Sequence, residues 1–498
     1  MKIFIDTNRN LGKISKNIYG QFAEHLGNGI YGGLYVGTDS TIPNVDGIRT
    51  DVVEALKRIK VPVIRWPGGS FSEKYHWKDA VGPKERRKPV VNTSWGGVVE
   101  DNSFGTHEFF RLCELVGCAP YLAANITSGS VRELEEWVDY VTNPAGSSMA
   151  QLRRENGREE PWQLPYVGIG NESWSMRPEF YSDRFQLFAS GIHAGNVKEL
   201  KKIACGPNGA DYNWTDTLVR MTGRRAMDGL SLHYYTMPGY YKTDEYPEEE
   251  KNTALDFTKE GYYRTLRRAL YMDEMLRMHG SMMDRYDPQR KIELVVDEWG
   301  TWHQPETGTN QSFLYQQNTM RDAIVAGVTL NIFNGYCERV KMANIAQMVN
   351  VLQAMIFTRD EEIVLTPTYY VFELYKVHQE AMRVECYVQK ELVGPEEAQV
   401  PSVSVSASED ENGVLHATIV NLDAESEKEL DCFLDGADYI LVSGRYLCGE
   451  MHSCNSFAEK DNVVVQEIAE IPISDNRFTL RLPACSVTML TIRKKDID

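Results

Sequence analysis

Tyr166-Val167-Gly168-Ile169-Gly170-Asn171-Glu172 is the stretch on which the reading of this chain turns. Its near-continuous apolar run has the length of a short strand, and it stops on an amide and a carboxylic acid. Ile292-Glu293-Leu294-Val295-Val296-Asp297-Glu298-Trp299 has the same form, an apolar strand ending on an acid. Uninterrupted apolar runs are expected of parallel strands covered on both faces. Acids at the carboxyl ends of two such strands stand where an eight-stranded α/β barrel builds its active site.

Working outward, further runs of this kind are 18–22, 61–66, 119–126, 202–206, 229–235 and 328–333. Helical patterns lie between them at 50–59, 106–116, 131–142, 178–194, 212–221, 262–279 and 312–326, with 345–356 after the eighth strand. Pro178 suits a first helical turn, and Ser130 and Ser312 suit N-caps. This alternation predicts a (β/α)8 TIM barrel over residues 17–380, although an open doubly wound sheet can also reach eight strands. After about Gln379 the texture changes to period-two alternation broken by turns such as Asn412-Gly413 and Asp435-Gly436. Strands are predicted within 400–407, 413–422, 439–442, 463–468 and 478–492. Residues 381–498 therefore read as a C-terminal antiparallel β-sandwich, jelly-roll-like, which the isolated N-terminal strand within 1–16 is expected to join.

A chain of 498 residues, 42% hydrophobic and 25% charged, has ample material for a globular core. The formal net charge of −18 repels phosphate backbones, which argues against nucleic-acid partners, whereas a neutral substrate tolerates it. No run of about 18 apolar residues suggests a membrane span. Met1–Thr7 enters strand-like alternation directly, without the features of a leader. The nine cysteines are odd in number and lack metal-like pairing. Buried thiols and a reducing cytoplasmic location are expected. The run Lys84-Glu85-Arg86-Arg87-Lys88 reads as a solvated loop or a subunit contact.

Glu172 and Glu298 end the fourth and seventh predicted strands. Hydrolysing a glycosidic bond needs a proton for the leaving oxygen and a nucleophile or base opposite. Asn171 can donate to and accept from a sugar hydroxyl. His233 and Tyr235 share one side of their strand. Glu24 follows the first strand and Arg65 ends the second, where a guanidinium near Glu298 would keep it charged. Trp66, Trp174, Trp299 and Trp302 at strand ends suit the apolar faces of sugars, and core packing accounts for each equally well. Competing chemistries are poorly supported. Gly168-Ile-Gly170 lacks the third glycine of a dinucleotide site, and the glycines of 29–37 have no Lys-Ser/Thr. His-Glu-x-x-His, Gly-x-Ser-x-Gly and Cys-x-x-Cys are all missing, so no metal and no cofactor is expected.

The combination Asn17-Ile-Tyr-Gly-Gln-Phe-Ala-Glu-His-Leu-Gly27, Ile64-Arg-Trp-Pro-Gly-Gly69, Tyr75-His-Trp77, Asn92-Thr-Ser-Trp-Gly-Gly97, Gly170-Asn-Glu172, Leu232-His-Tyr-Tyr235, Asp297-Glu-Trp-Gly-Thr-Trp302 and Ala343-Asn-Ile-Ala-Gln-Met-Val-Asn350 resembles the α-L-arabinofuranosidases of glycoside hydrolase family 51. The resemblance implies removal of terminal non-reducing α-L-arabinofuranosyl groups with net retention, without cofactor, commonly in a cytoplasmic hexamer. It implies Glu172 as acid/base and Glu298 as nucleophile. Glu24, Asn171, Tyr235 and Gln347 match positions that bind the furanose, and Arg65 and His233 match residues that organise the site. Ser70 stands where the family often has Cys or Asn. Ser175 leads straight to Met176, where a short Gly/Cys-containing insertion is common. Both departures bear on glycone and aglycone preference. The open alternatives are a retaining barrel glycosidase of other specificity, a β-xylosidase or endoglucanase, and a catalytically silent carbohydrate-binding protein.

Overall fold

The computed structural model describes residues 1–193, 195, 199–223, 226–237 and 253–495. The expected helix end at Ala194 and residues 496–498 of the sandwich segment lie outside them. Strand β1 (Lys2–Lys13) is followed by eight strands that close a parallel barrel. These are β2 (Gly20–Phe22), β3 (Val63–Trp66), β4 (Ala119–Ala124), β5 (Tyr166–Ile169), β6 (Lys201–Ala204), β7 (Gly229–Thr236), β8 (Glu293–Thr301) and β9 (Val340–Ala346). Helices α1 (Thr50–Arg58), α2 (Thr106–Val116), α3 (Val131–Thr142), α4 (Ser148–Glu155), α5 (Pro178–Gly191), α6 (Tyr212–Thr222), α7 (Lys259–Tyr286), α8 (Met320–Gly335) and α9 (Pro367–Tyr375) alternate with them. Ser130 caps α3 by accepting from Glu133 N, and Pro178 opens α5, as the sequence predicts.

Two predictions fail around the eighth strand. The run 328–333 lies inside α8, and the eighth strand is β9. Helix α8 is buried from Met320 to Leu330 and beyond, because it lies between the barrel and the carboxyl-terminal sheet. Its Asn331 and Asn334 amides donate to Ser404 and Ser406 of that sheet. A helix buried all round loses the 3.6-residue polar stripe and reads as a strand. Its cap is Thr319 with Asp322, while Ser312 sits in a separate 3-10 turn. The segment predicted as the helix 345–356 is instead the end of β9 and a buried irregular connection, whose backbone groups pair locally, as in Gln347 N to Val351 O.

Strands β10 (Met382–Val388), β11 (Val403–Glu409), β12 (Leu415–Asn421), β13 (Lys428–Asp435), β14 (Tyr439–Cys448), β15 (Gln466–Pro472), β16 (Arg477–Leu482) and β17 (Ser486–Lys494) join β1 in one nine-stranded sheet. Its hydrogen-bonded order is β15-β14-β17-β12-β11-β10-β1-β13-β16. It is mostly antiparallel, but β1 pairs parallel with β13. Residues from strands near both ends of that order share one apolar core, including Ile3, Leu430, Leu480, Val442 and Ile492. The expected sandwich is thus formed by one continuous hydrogen-bonded sheet packed onto itself around that core. The single run predicted at 478–492 splits into β16 and β17 around Cys485, whose φ is 43°.

Candidate active site

Alternation along the barrel strands sends every second side chain inward. Near the bottom of the barrel the inward residues are Val63, Tyr121, Ile203, Val295 and Met342, which pack as an apolar layer. Two residues further along β3, Arg65 is also inward and only 1% exposed. Its guanidinium lies 4.7 Å from the centre of the Phe22 ring. Nη1 donates to Glu298 Oε1 at 2.7 Å and Nη2 to Asn171 Oδ1 at 2.6 Å, while Nε lies 3.5 Å from Asp297 Oδ2.

Asp297 and Glu298 are consecutive, yet both face the barrel interior. The register explains this. Ser231 pairs with Val295 but His233 pairs with Glu298, and on the other side Val296 pairs with Ala343 but Trp299 with Ile345. One extra residue in β8 makes a β-bulge, which re-aims a side chain that simple alternation would send outward. Tyr121 OH donates to Asp297 Oδ2 at 2.9 Å, and Tyr235 OH to Glu298 Oε2 at 2.7 Å.

His233 sits among three acids. Its Nδ1 is 2.9 Å from Glu172 Oε1 and 3.5 Å from Glu298 Oε2, and its Nε2 is 2.8 Å from Asp297 Oδ1. Burial alone would lower its pKa, but the charges on Glu298 and Asp297 and the hydrogen bonds to Asp297 and Glu172 lift it to about 10. Burial pushes the Glu298 carboxyl above the usual range, and the charges of His233 and Arg65 oppose that push. Burial acts in the same direction on Asp297, yet Arg65 and His233 outweigh it and lower its pKa. Oxygens of Glu172 and Glu298 and a nitrogen of His233 lie within 4.8 Å of one another. That spacing is short enough for a metal ion, but a protonated imidazole at one corner of the triangle and Arg65 beside it oppose one.

Glu172 lies just past β5 in the left-handed conformation, φ 45°. Its side chain is 28% exposed against 5% for Glu298, so it faces the mouth. A cavity of about 740 Å³ opens there, lined by Glu172, Trp174, Asn208, Tyr235 and Trp302 among others. On the opposite flank Glu24 accepts from Phe71 N and Trp95 Nε1 at 2.9 Å and from Gln347 Nε2 at 3.2 Å. Burial, then the charge of Glu298, raises the Glu24 pKa to about 7. The turn Gly68-Gly69 presses between these acids. A Cβ on Gly68 would stand 2.5 Å from Glu24 Cγ, and one on Gly69 would stand 2.7 Å from Glu298 Oε1. The buried Asn171 Nδ2 has no hydrogen-bond partner among the described residues.

The structure therefore joins Arg65, Asn171, Glu172, His233, Tyr235 and Glu298 in one network of hydrogen bonds and ion pairs, with the Glu24–Gln347 pair on its flank. Ser70 opens the adjoining 3-10 turn, Ser70–Lys74, and its side chain makes none of these contacts. Trp174 and Trp302 line the cavity, but Trp66 and Trp299 are core residues. They alternate with the inward Arg65 and Glu298 and so face the helical layer. Of the basic run, Arg87 is not solvated: it is buried and forms a forked pair with Glu108 at 2.9 and 3.0 Å. Sequence reasoning gave no role to Asp297, Tyr121, Glu73 or Trp95. Asp297 was legible as an acid beside an acid, but its direction depends on the bulge.

Residues 55–252 match the family described as Alpha-L-arabinofuranosidase 1 domain, and residues 297–486 match the Alpha-L-arabinofuranosidase C-terminal domain. An intracellular exo-α-L-arabinofuranosidase of Bacteroides ovatus is 48% identical over 486 residues, spanning 96% of this chain and 93% of that protein. The solved GH51 arabinofuranosidase of Xanthomonas axonopodis pv. citri superposes with a TM-score of 0.95 at 43% identity, covering 99% of this chain and all of that one. The α-L-arabinofuranosidase of Thermotoga maritima, solved with arabinose, gives 0.85 at 29% identity over 98% of this chain and 99% of that one. With its barrel, its two rim acids and relatives of this identity along its whole length, the chain belongs to the α-L-arabinofuranosidases of glycoside hydrolase family 51.

Proposed function

We propose that this enzyme removes terminal non-reducing α-L-arabinofuranosyl residues by double displacement, with Glu298 as nucleophile and Glu172 as acid/base. The observation that supports the pair most directly is their closeness, with one oxygen of each carboxylate within 4.8 Å of one of the other. Retaining enzymes hold their carboxyl groups about 5–5.5 Å apart, and inverting ones about 6.5–9.5 Å to admit a water. Glu298, gripped by Arg65 and Tyr235, attacks the anomeric carbon while Glu172 at the mouth protonates the departing oxygen. Glu172 then takes a proton from the water that cleaves the glycosyl ester. His233 keeps both carboxylates oriented. Glu24, Asn171 and Gln347 hold furanose hydroxyls, and Ser70 borders that pocket without an anchoring contact. The catalytic unit is taken as residues 17–380, and residues 381–498 with 1–16 as the accessory sheet. A homo-oligomer, commonly hexameric in this family, acting in the cytoplasm on imported arabinan or arabinoxylan oligosaccharides completes the reading.

Proton NMR of the first-formed sugar tests the mechanism. The α-anomer of L-arabinofuranose is expected, and initial release of the β-anomer would overturn it. Nitrophenyl α-L-arabinofuranoside should be cleaved far faster than nitrophenyl β-xyloside or cello-oligosaccharides. Light scattering should show an oligomer, and a fully active monomer would reject one.

A further inference from the structure

Glu73 is a buried acid with no place in the mechanism above. It lies in the 3-10 turn after β3, is 8% exposed, and pairs with no lysine or arginine among the described residues. Its carboxylate instead collects backbone N–H groups. Oε1 accepts from Asn171 N at 2.6 Å, and Oε2 accepts from Ile126 N at 2.9 Å and Thr127 N at 2.7 Å. Those donors lie just beyond the carboxyl ends of β5 and β4.

The regular pairing of β4 with β5 ends at Ala124 and Ile169. Past that point Gly170 has φ 90° and Glu172 φ 45°, two left-handed residues in three. A non-glycine residue in this region is costly and persists only where its surroundings hold it. The last β4–β5 bond, Gly170 N to Ala124 O at 3.3 Å, lies before Asn171, so the ladder does not hold the residues beyond it. One carboxylate spans the two strand ends where strand-to-strand hydrogen bonds have stopped. The Glu73 turn is itself tied down, since Ser128 Oγ donates to Glu73 O and Asn125 Nδ2 to Tyr75 O.

We propose that Glu73 is a positioning residue for the acid/base: by clamping the Asn171 N–H against the end of β4, it sets where the Glu172 carboxyl points. This rests on the reading of Glu172 as acid/base. A group that aims the proton donor matters most when the leaving group needs a proton and little when it departs unaided. A residue that only stabilises the fold has no such selectivity.

The experiment compares kcat/KM for phenyl and 2,4-dinitrophenyl α-L-arabinofuranosides in Glu73→Gln, Glu73→Asp and Glu172→Ala. The Gln amide turns a donor toward N–H groups, so one strand end loses its acceptor. Glu73→Gln should lose about tenfold to a hundredfold on the phenyl substrate and less than about threefold on the dinitrophenyl one. Glu73→Asp, which keeps the charge on a shorter arm, should show the same selectivity at smaller amplitude, and it carries the test if the Gln variant does not fold. Equal losses on both substrates, or none, overturn the proposal. If Glu172→Ala itself shows no leaving-group dependence, the acid/base reading fails. If Glu172→Ala shows it and the Glu73 variants do not, the positioning role alone is wrong.

Discussion

The two ends of the barrel interior are built by the same strands and hold opposite chemistry. At the bottom Val63 and Val295 pack with Ile203, Met342 and the Tyr121 ring. Two residues onward Arg65 and Asp297 stand on the same inner faces, with Glu298 and His233 beside them. Burial at the bottom stabilises, at about 25 cal/mol per Å² of apolar surface. Burial at the top costs, because charges leave water, and is repaid only by close pairing. Tyr121 belongs to both ends, its ring in the apolar layer and its hydroxyl on Asp297. A barrel can thus hold a strained charged rim because its lower half is an ordinary core.

The largest expected effect isolates the chemistry of the rim. Glu298→Ala should lower turnover of every arabinofuranoside by roughly 10⁴-fold or more, and added azide should give a β-configured product. Retention of a tenth of the native rate would remove Glu298 from the reaction. Next comes the energetic asymmetry. Arg65→Met leaves Asp297 and Glu298 buried without their countercharge, which should cost about 3–5 kcal/mol in urea unfolding as well as activity. A loss under about 1 kcal/mol would mean that His233 alone balances the acids. At the bottom, Met342→Ala should cost about 2–5 kcal/mol through the cavity it leaves, with kcat/KM nearly native. A large rate loss in that variant would show that the two ends are mechanically coupled.

The smallest effect is the pH response of the rim. Glu24 is raised from 4.5 to about 7 in the folded state, so folding favours its protonated form. The stability this confers is complete below about pH 4.5 and is lost as pH rises through 7, at up to roughly 1 kcal/mol per pH unit. His233, raised from 6.5 to about 10, contributes stability that is full below pH 6.5 and lost as pH rises through 10. Subtracting the pH–stability curve of Glu24→Gln from that of the native enzyme should leave a fall between pH 4.5 and 7. A flat difference would show that Glu24 is not held away from its charged form.

Much of the site is legible because barrel strands obey a local rule. His233 and Tyr235 are found by period-two alternation on their strand, and Glu24, Arg65 and Asn171 by following a strand to its end. Gln347 came only through the family resemblance, since it follows β9, a strand the apolar pattern missed. The two mistakes have different causes. Residues 328–333 lie in a helix buried between the barrel and a second sheet, so no 3.6-residue polar stripe reveals it, whereas 345–356 is a buried connection whose Gln347, Asn350 and Gln353 recur at a helix-like spacing. For Trp66 and Trp299 the sequence leaves sugar stacking and core packing equally open, and parity along their strands sends them to the core.

The sequence alone determined what local repetition encodes: apolar strand runs, intervening amphipathic helices, acids at two strand ends, and a set of motifs found together in one family. Tertiary structure decided what pairing between distant segments encodes. The bulge in β8 turns Asp297 and Glu298 to the same side only because β7 and β9 each pair across it out of step. Helix α8 is a helix despite its strand-like composition because the carboxyl-terminal sheet covers its outer face. Glu73 reaches Asn171, 98 residues away, because the turn after β3 folds across the ends of β4 and β5. Side-chain direction and burial depend on which neighbours arrive, and a linear pattern does not contain that information.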